Sequence, residues 1–380
     1  MRWVKVLILT CSTGEGHNSC AAAIREAFEA QRIPCDVMDA LGLVSEKLSS
    51  FICNWHTRIY RYIPKAFGSG YAYTENHRTF LSEGKWNLQY MMPGAEKLHA
   101  LLWEQGYNAL ICTHVFGAAM ATQMRNKYGR GALTCFLATD YTCSPTVEDN
   151  DADIYFIPAE DLAGEFTAAG LPAQNLAATG IPVRQDFYAP EAKAQAKAKL
   201  GLPQDMENVL LMCGSMGCGP IEELAEALSQ RLPAHTLLSV VCGTNDKLLR
   251  ALEKKQLENV RLFGYTRQIP LLMDSAELFL TKPGGISVTE AAVKGLPMLF
   301  INAVGGCETH NLNYFTTRGW AETAEGPEAL ASKCVAMLQD REALGRRAAG
   351  LRAAFPQNAA QEIAACVQAR AGQAAQREMG

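Results

Sequence analysis

The sequence lacks any apolar run of the ~18 residues that a membrane-spanning helix needs, and its net charge of −4 shows no excess of basic residues. Domains that bind nucleic acid are typically basic, so this charge argues against general nucleic-acid binding. The apolar residues 6–11 resemble the core of a signal peptide, but that core is short and a glycine-rich turn follows it at once. We interpret these residues as a buried first strand that enters a ligand loop.

Cysteine pairs with the spacing of a zinc ribbon or a thioredoxin motif are also missing. The thirteen cysteines are scattered singly along the chain, and no CxxC pair occurs. Single cysteines in strand-like segments are typically small buried thiols, and a chain of this kind fits a reducing cytosol.

What the sequence does contain is a repeated alternation of strand-like and helix-like segments. Its 380 residues, 48% hydrophobic and 19% charged, suit two globular domains of ordinary size. An Ala/Lys-rich tract at 189–199 resembles a linker that opens into a solvated helix, and a tail from 331 is predicted to be helical with breaks at Gly350 and Pro356. The predicted strands are residues 4–10, 34–38, 109–113, 133–138, 153–157 and 177–179, then 208–213, 236–242, 261–263, 278–280 and 298–301. This pattern predicts two doubly wound α/β domains with a cleft between them.

Residues 281–313 carry the densest set of ligand-binding signals. A Gly284-Gly285 turn opens a helix after a strand, so backbone amides and the positive end of that helix are available to a phosphate. A second glycine-rich segment, 305–311, is predicted to be a loop in which Glu308 and Asn311 recognise hydroxyl groups. Phosphate on one side and hydroxyls on the other indicate a nucleotide-sugar site.

Glu290 has two interpretations. Ser287 and Glu290 have the S-x-x-E spacing of a capping box, which would explain the glutamate structurally. The flanking loops favour the other interpretation, a carboxylate that accepts hydrogen bonds from both hydroxyls of a ribose.

A third glycine-rich segment, 214–220, follows a strand and precedes a helix. Gly214, Ser215 and Gly217 are predicted to form an amide-rich anion loop, without the Lys-Ser/Thr ending of an NTP-hydrolysing P-loop. A simple tight turn is the alternative.

The turn after the first strand reads Gly14-Glu15-Gly16-His17-Asn18-Ser19. As a dinucleotide fingerprint it is weak, because Ser19 stands where the third glycine belongs. His17 at the start of a helix is predicted to be neutral and is a candidate general base. The alternative is a histidine that only caps the helix or positions the acceptor.

Residues 51–90 hold ten aromatic residues interleaved with basic ones. A partly buried helical hairpin would explain this composition, and so would an element that contacts a membrane interface. The residues selected for the second interpretation are Trp55, Arg58, Tyr60, Arg61 and Tyr62.

These motifs together resemble a known family. The carboxyl-terminal half resembles the pattern KxGG-(S/T)-x-x-E-A-x-x-x-G-x-P followed by G-Q-E-x-x-N of the two-domain glycosyltransferases that make monogalactosyl- and glucosyl-diacylglycerol. More distantly it resembles the peptidoglycan enzyme that adds N-acetylglucosamine to a lipid-linked precursor. In the amino-terminal half, the turn with His17, the strand end Cys112-Thr113-His114, Thr139-Asp140 and the run Thr179-Gly180-Ile181-Pro182-Val183-Arg184 match as well. The resemblance spans about residues 4–320, and one departure is Cys307, where the family often has glutamine.

The resemblance implies an α/β fold of two Rossmann-like domains facing a cleft (GT-B type). Residues 1–188 would form the acceptor and membrane-side domain, 200–340 the UDP-sugar domain, and 341–380 helices that cross back to the first domain. The implied donor ligands are Gly214, Ser215, Gly217, Gly284, Gly285, Glu290, Glu308 and Asn311. His17 or Asp140 would activate the acceptor, and Gly14 and Gly16 would contact it.

The function implied by the resemblance is inverting transfer of glucose or galactose from a UDP-sugar to the hydroxyl of diacylglycerol. No cofactor or metal is expected, because amides and helix dipoles would stabilise the leaving diphosphate. Asp151-Ala152-Asp153 has the DxD spacing of metal-binding glycosyltransferases, but no phosphate loop lies near it in the sequence. Lys282 could assist the leaving group or be a solvated lysine at a strand end.

The resemblance implies a cytoplasmic protein bound peripherally to the inner face of the cell membrane. The alternatives are N-acetylglucosamine transfer to a lipid-linked peptidoglycan precursor, a UDP-sugar epimerase, and a nonenzymatic UDP-sugar sensor on the same fold.

Overall fold

The computed structural model describes residues 4–11, 15–45, 47, 86–301 and 305–377 of the chain. These residues form two compact units. The first comprises Met1–Gln185, Gly305–Cys307 and Gln357–Gly380, and the second comprises Asp186–Val304 and Glu308–Pro356.

The first unit is built on a six-stranded parallel sheet with the strand order β2-β1-β3-β4-β5-β6. Its strands are β1 (Val6–Thr10), β2 (Cys35–Asp39), β3 (Ala109–Cys112), β4 (Leu133–Leu137), β5 (Ile154–Ile157) and β6 (Leu176–Ala178). Its helices are α1 (Glu15–Ala30), α2 (Ala40–Val44), α3 (Trp86–Gln105), α4 (Val115–Tyr128), α5 (Ala163–Ala168) and the carboxyl-terminal α14 (Ala359–Arg377). The last of these packs on α1, where Gln368 donates a hydrogen bond to Gln31 over 2.7 Å.

The second unit repeats this plan with the strand order β12-β11-β10-β7-β8-β9, again parallel throughout. Its strands are β7 (Glu207–Met212), β8 (Thr236–Val241), β9 (Val260–Phe263), β10 (Leu278–Thr281), β11 (Met298–Phe300) and β12 (Ala321–Thr323). Its helices are α6 (Lys193–Leu200), α7 (Ile221–Arg231), α8 (Asp246–Lys255), α9 (Ile269–Ser275), α10 (Gly285–Lys294), α11 (Cys307–Thr317), α12 (Pro327–Gln339) and α13 (Arg341–Ala354).

Both sheets are buried on both faces, which is why their central strands read as continuous apolar runs in the sequence. Every residue of β1 and β3 is buried, as is every residue of β8 and β10. The strand order reverses between β1 and β3 in the first unit and between β7 and β10 in the second. Ligands of open α/β sheets bind outside the carboxyl ends of the strands at such a reversal. We therefore expect one ligand site at each of these two reversals.

The predicted α/β class with two Rossmann-like sheets is confirmed, and three local predictions are corrected. Helix α1 begins at Glu15, inside the predicted turn, and α11 begins at Cys307, inside the predicted loop. Helix α13 runs through Gly350 without a break. A Cβ atom at this position would lie 3.0 Å from Trp320 Nε1, so the glycine allows the helix to approach that ring closely. The second unit also extends to Pro356, since α13 packs on α10 and α12.

Candidate active site

His17 lies in the first turn of α1, and its ring reaches the neighbouring strand at the sheet's reversal point. The Nδ1 atom of His17 is 2.6 Å from the carbonyl oxygen of Thr113, which follows β3. A carbonyl oxygen only accepts hydrogen bonds, so Nδ1 must carry a proton. In the neutral ring the lone pair then belongs to Nε2, which is the form that a general base requires.

His114 is the neighbour of His17 that the sequence did not select as a site residue. The two rings meet edge to face with centroids 4.6 Å apart. Nδ1 of His114 accepts the backbone N–H of Phe116 over 3.1 Å and so caps α4. The neutral His114 ring therefore carries its proton on Nε2, opposite to His17. The available signal was its position directly after the predicted strand 109–113.

Asp140 follows β4, the next strand of the same sheet, and is half-buried. The loop that it opens is held by Glu165 from α5. This carboxylate accepts the hydroxyl of Thr142 over 2.5 Å and the backbone N–H of Cys143 over 2.7 Å. Asp140 and His17 thus follow the carboxyl ends of two strands in one sheet, and their role in acceptor activation stays a prediction.

The first predicted donor loop, 214–219, joins β7 to α7 with three glycines at positive φ: Gly214 at 65°, Gly217 at 56° and Gly219 at 132°. Its carbonyl groups are bound by the loop after β8. The backbone N–H of Thr244 donates to the Ser215 carbonyl over 2.8 Å, and the Asn245 side chain donates to the Gly217 carbonyl over 3.0 Å. Left-handed backbone of this kind builds anion-binding nests, and the binding of a diphosphate by this loop stays a prediction.

The second predicted donor loop, 282–285, follows β10, on the other side of the reversal from β7. Gly284 is the N-cap of α10 and Gly285 is its first residue. Ser287 therefore lies inside the first turn and cannot be the N-cap that the capping-box interpretation of Glu290 requires. Glu290 is half-buried in the second turn of α10, and its ribose contact stays a prediction.

Glu308 and Asn311 lie on the first turns of α11, not in a loop. Asn311 is 0% exposed, and its side-chain amide donates to the Pro283 carbonyl over 2.9 Å. This bond ties α11 to the turn before Gly284, so Asn311 positions the second donor loop in the structure. Its predicted contact with a sugar, and that of Glu308, stay predictions.

The acidic DxD stretch lies at the opposite, amino edge of the first sheet. Asp153 forms a two-point ion pair with Arg125 at 2.8 and 3.1 Å, and Asp151 is bound by Arg130 at 2.8 Å. Both carboxylates are therefore engaged by guanidinium groups at a distance from the ligand edge. In the described part of the chain, no group of three or more His, Cys, Asp or Glu side chains is arranged to hold a metal ion.

Several predicted residues fall outside the described part of the chain. They are Gly14 and the membrane-contact residues Trp55, Arg58, Tyr60, Arg61 and Tyr62. Gly16 is described and is the second residue of α1. Among the helices that the structure describes, none combines the length and apolar character needed to cross a bilayer.

Two protein-family models match this chain, one in each half. Residues 17–183 match the monogalactosyldiacylglycerol (MGDG) synthase family model, and residues 197–361 match the model of glycosyl transferases group 1. The chain is a glycosyltransferase, and its first unit resembles the monogalactosyldiacylglycerol synthases. This glycosyltransferase is 28% identical over 351 residues to the processive diacylglycerol beta-glucosyltransferase of Bacillus pumilus, covering 90% of this chain and 88% of that one. The protein of that name from Staphylococcus saprophyticus is 26% identical, with 88% and 84% covered.

Solved structures share the fold of this glycosyltransferase at low identity. The MurG structure from Acinetobacter baumannii has a TM-score of 0.60 and 14% identity, covering 96% of this chain and 99% of that one. The glycotransferase of kitacinnamycin has a TM-score of 0.66 and 13% identity, with 98% and 100% covered. The UDP-GlcNAc 2-epimerase of Neisseria meningitidis has a TM-score of 0.62 and 12% identity, with 96% and 100% covered. Transferases and an epimerase share this fold, so the fold alone does not decide the reaction.

Proposed function

We propose that this glycosyltransferase moves glucose or galactose from a UDP-sugar to the free hydroxyl of diacylglycerol, with inversion at the anomeric carbon. The observation that carries the proposal is the similarity, over 90% of this chain, to a relative named processive diacylglycerol beta-glucosyltransferase. The matched MGDG synthase model points to the same acceptor and covers the part of the chain that holds His17 and Asp140.

The first unit activates the acceptor. As the acceptor oxygen attacks the anomeric carbon, its proton passes to Nε2 of His17, while the bond from that carbon to the diphosphate breaks and its electron pair leaves with UDP. The Thr113 carbonyl supports this assignment because it keeps the proton of the neutral ring on Nδ1. Asp140 is the alternative base, or it stabilises the imidazolium that His17 becomes.

The second unit binds the donor. The loops 214–219 and 282–285 hold the diphosphate through backbone amides and the amino-terminal ends of α7 and α10. Glu290 accepts hydrogen bonds from the ribose hydroxyls, and Glu308 and Asn311 recognise the sugar. In this proposal no metal or cofactor is needed, because these groups offset the charge of the leaving diphosphate.

The enzyme works as a peripheral protein on the cytoplasmic face of the membrane, where diacylglycerol is found. The support for this is compositional: residues 51–90 combine ten aromatic residues with Arg and Lys, including Trp55, Arg58 and Arg61. Aromatic rings and basic groups in this mixture suit the headgroup region of a bilayer.

Release of UDP from the purified enzyme tests the function directly. UDP-glucose, UDP-galactose and UDP-N-acetylglucosamine are compared with and without diacylglycerol vesicles, each in the presence of a chelator. We expect lipid-dependent release with one hexose donor and no loss with the chelator. Release of UDP with the N-acetylated donor alone would indicate that the acceptor is a lipid-linked peptidoglycan precursor. If no donor gives UDP release, the alternative of a nonenzymatic UDP-sugar sensor would be favoured.

A further inference from the structure

Lys282 is a buried cation at the reversal point of the second sheet. It follows the last residue of β10, Thr281, and is only 8% exposed. A lysine that simply ends a strand keeps its ammonium group in water, so the interpretation of Lys282 as a solvated lysine is wrong for this structure.

The side chain of Lys282 extends from β10 to the glycine loop that follows β7. Its Cε atom lies 3.3 Å from the place that a Cβ atom on Gly219 would occupy. Its positive charge also acts on the thiol of Cys213, at the other end of that loop. Burial raises the pKa of Cys213 to about 12, and the charge of Lys282 opposes this rise while Glu308 adds to it.

Burying an ammonium group is costly unless negative charge or hydrogen-bond acceptors compensate it. One carboxylate, Glu308, lies within electrostatic range of the same thiol. A diphosphate bound by the glycine loop would bring further negative charge to the same place. Gly214, Gly217 and Gly219 have the positive φ angles of an anion-binding loop, and the ammonium stem lies against the last of them.

We propose that Lys282 binds the diphosphate of the donor and offsets the negative charge that forms on UDP as it leaves. When the bond between the anomeric carbon and the diphosphate oxygen breaks, the electron pair stays on that oxygen. The ammonium group acts as a fixed positive charge beside that oxygen. This inference rests on the proposed function, because it takes a UDP-sugar as the donor.

The test is calorimetric titration of UDP and uridine into the wild-type enzyme and three variants. Lys282→Met removes the charge and keeps the stem, and Lys282→Arg keeps a charge. Lys247→Met is the matched control, because Lys247 is exposed on the first turn of α8 at the same edge of the same sheet. A charge-assisted bond contributes about 1.5–3 kcal/mol, so we expect UDP affinity to fall about 10-fold to 100-fold in Lys282→Met. Uridine affinity should not change, and Lys282→Arg should keep most of the preference for UDP.

The outcomes separate this inference from the proposed function. If the wild-type enzyme does not bind UDP, both fail. If it binds UDP and Lys282→Met binds it equally well, only the role of Lys282 is overturned. An equal loss for UDP and uridine would also overturn it, because it would show that Lys282 braces the loop. Should Lys282→Met not fold, Lys282→Gln serves for the same comparison.

Discussion

At the scale of single residues, two hydrogen bonds set the chemistry of the histidine pair. The Thr113 carbonyl holds the proton of His17 on Nδ1, and the N–H of Phe116 holds the lone pair of His114 on Nδ1. In the neutral rings, Nε2 of His17 is therefore a hydrogen-bond acceptor and Nε2 of His114 a donor, and the two rings meet in a T-shaped contact. The sequence identified His17 by its place after the first strand. It could not identify this pairing, because the pairing depends on which strands are neighbours.

We expect His17→Gln to lower kcat with the lipid acceptor by about 10²–10⁴, the usual range for loss of a general base. Its affinity for UDP should be unchanged, because the donor site belongs to the other unit. Steady-state kinetics and UDP titration check both parts. His235→Gln, at an exposed histidine before β8, is the control. A His17→Gln enzyme with normal kcat would make Asp140 the base.

Alanine substitutions at Gly217 and at Gly284 should have different effects on stability and on UDP binding. A Cβ atom on Gly217 would lie 2.1 Å from the Cys242 carbonyl oxygen at a φ of 56°, whereas one on Gly284 meets nothing within 4 Å. Gly217→Ala should therefore lower the unfolding free energy by more than about 1 kcal/mol. Gly284→Ala should leave the melting temperature unchanged and weaken UDP binding, because its methyl group would stand where the diphosphate approaches. Calorimetric melting and UDP titration separate the two, and unchanged UDP affinity in Gly284→Ala would remove this glycine from the donor site.

At the scale of elements, the sequence located strands well and helix starts poorly. Strands buried on both faces produce apolar runs that are visible without a partner, and β1, β7 and β10 were found within two residues of their ends. Glycine-rich polar segments were interpreted as loops, yet α1 and α11 begin inside them. The first N–H groups of a helix have no intrahelical partner, so a ligand turn and a first helical turn have similar sequences. The short edge strand β12, Ala-Glu-Thr, gives no apolar run and was missed.

Two helices of the second unit are joined by a buried ion pair. Nζ of Lys294, at the end of α10, lies 2.7 Å from a carboxylate oxygen of Asp274 on α9, with side-chain exposures of 1% and 6%. Lys294 also donates to the Ala189 carbonyl over 3.2 Å. The sequence could not reveal this pair, since both residues belong to ordinary polar helix ends.

Breaking this pair should destabilise the second unit strongly. Lys294→Met leaves a buried carboxylate without its cation, a change that typically costs about 3–5 kcal/mol. Chemical denaturation should show the loss, and the double variant Lys294→Met/Asp274→Leu should recover part of it because no charge is then left buried. Lys193→Met, which removes a more exposed pair with Glu277, is the control and should cost at most about 1 kcal/mol. Equal losses for the two single variants would contradict this account.

At the scale of the whole molecule, the distribution of thiols reflects the two buried sheets. Ten of the twelve cysteines in the described part of the chain are buried. Burial raises the pKa of Cys112 and of Cys334 to about 12, so these groups stay protonated and slow to react at neutral pH. Cys307 and Cys366 are the two that are only half-buried, and Cys307 stands beside Glu308 at the start of α11.

Alkylation of the folded enzyme can therefore report on the donor site. With iodoacetamide at neutral pH we expect Cys307 and Cys366 to react before the ten buried thiols. Addition of a UDP-sugar should slow labelling at Cys307, because the donor covers the first turn of α11 when Glu308 binds the sugar. Cys366 on α14 is the internal control and should label at the same rate with and without the donor. Peptide mass spectrometry gives both rates from one sample. Equal rates at Cys307 with saturating UDP-sugar would mean that the sugar does not reach Glu308, and the sugar-recognition role would then have to be sought on another element of the second unit.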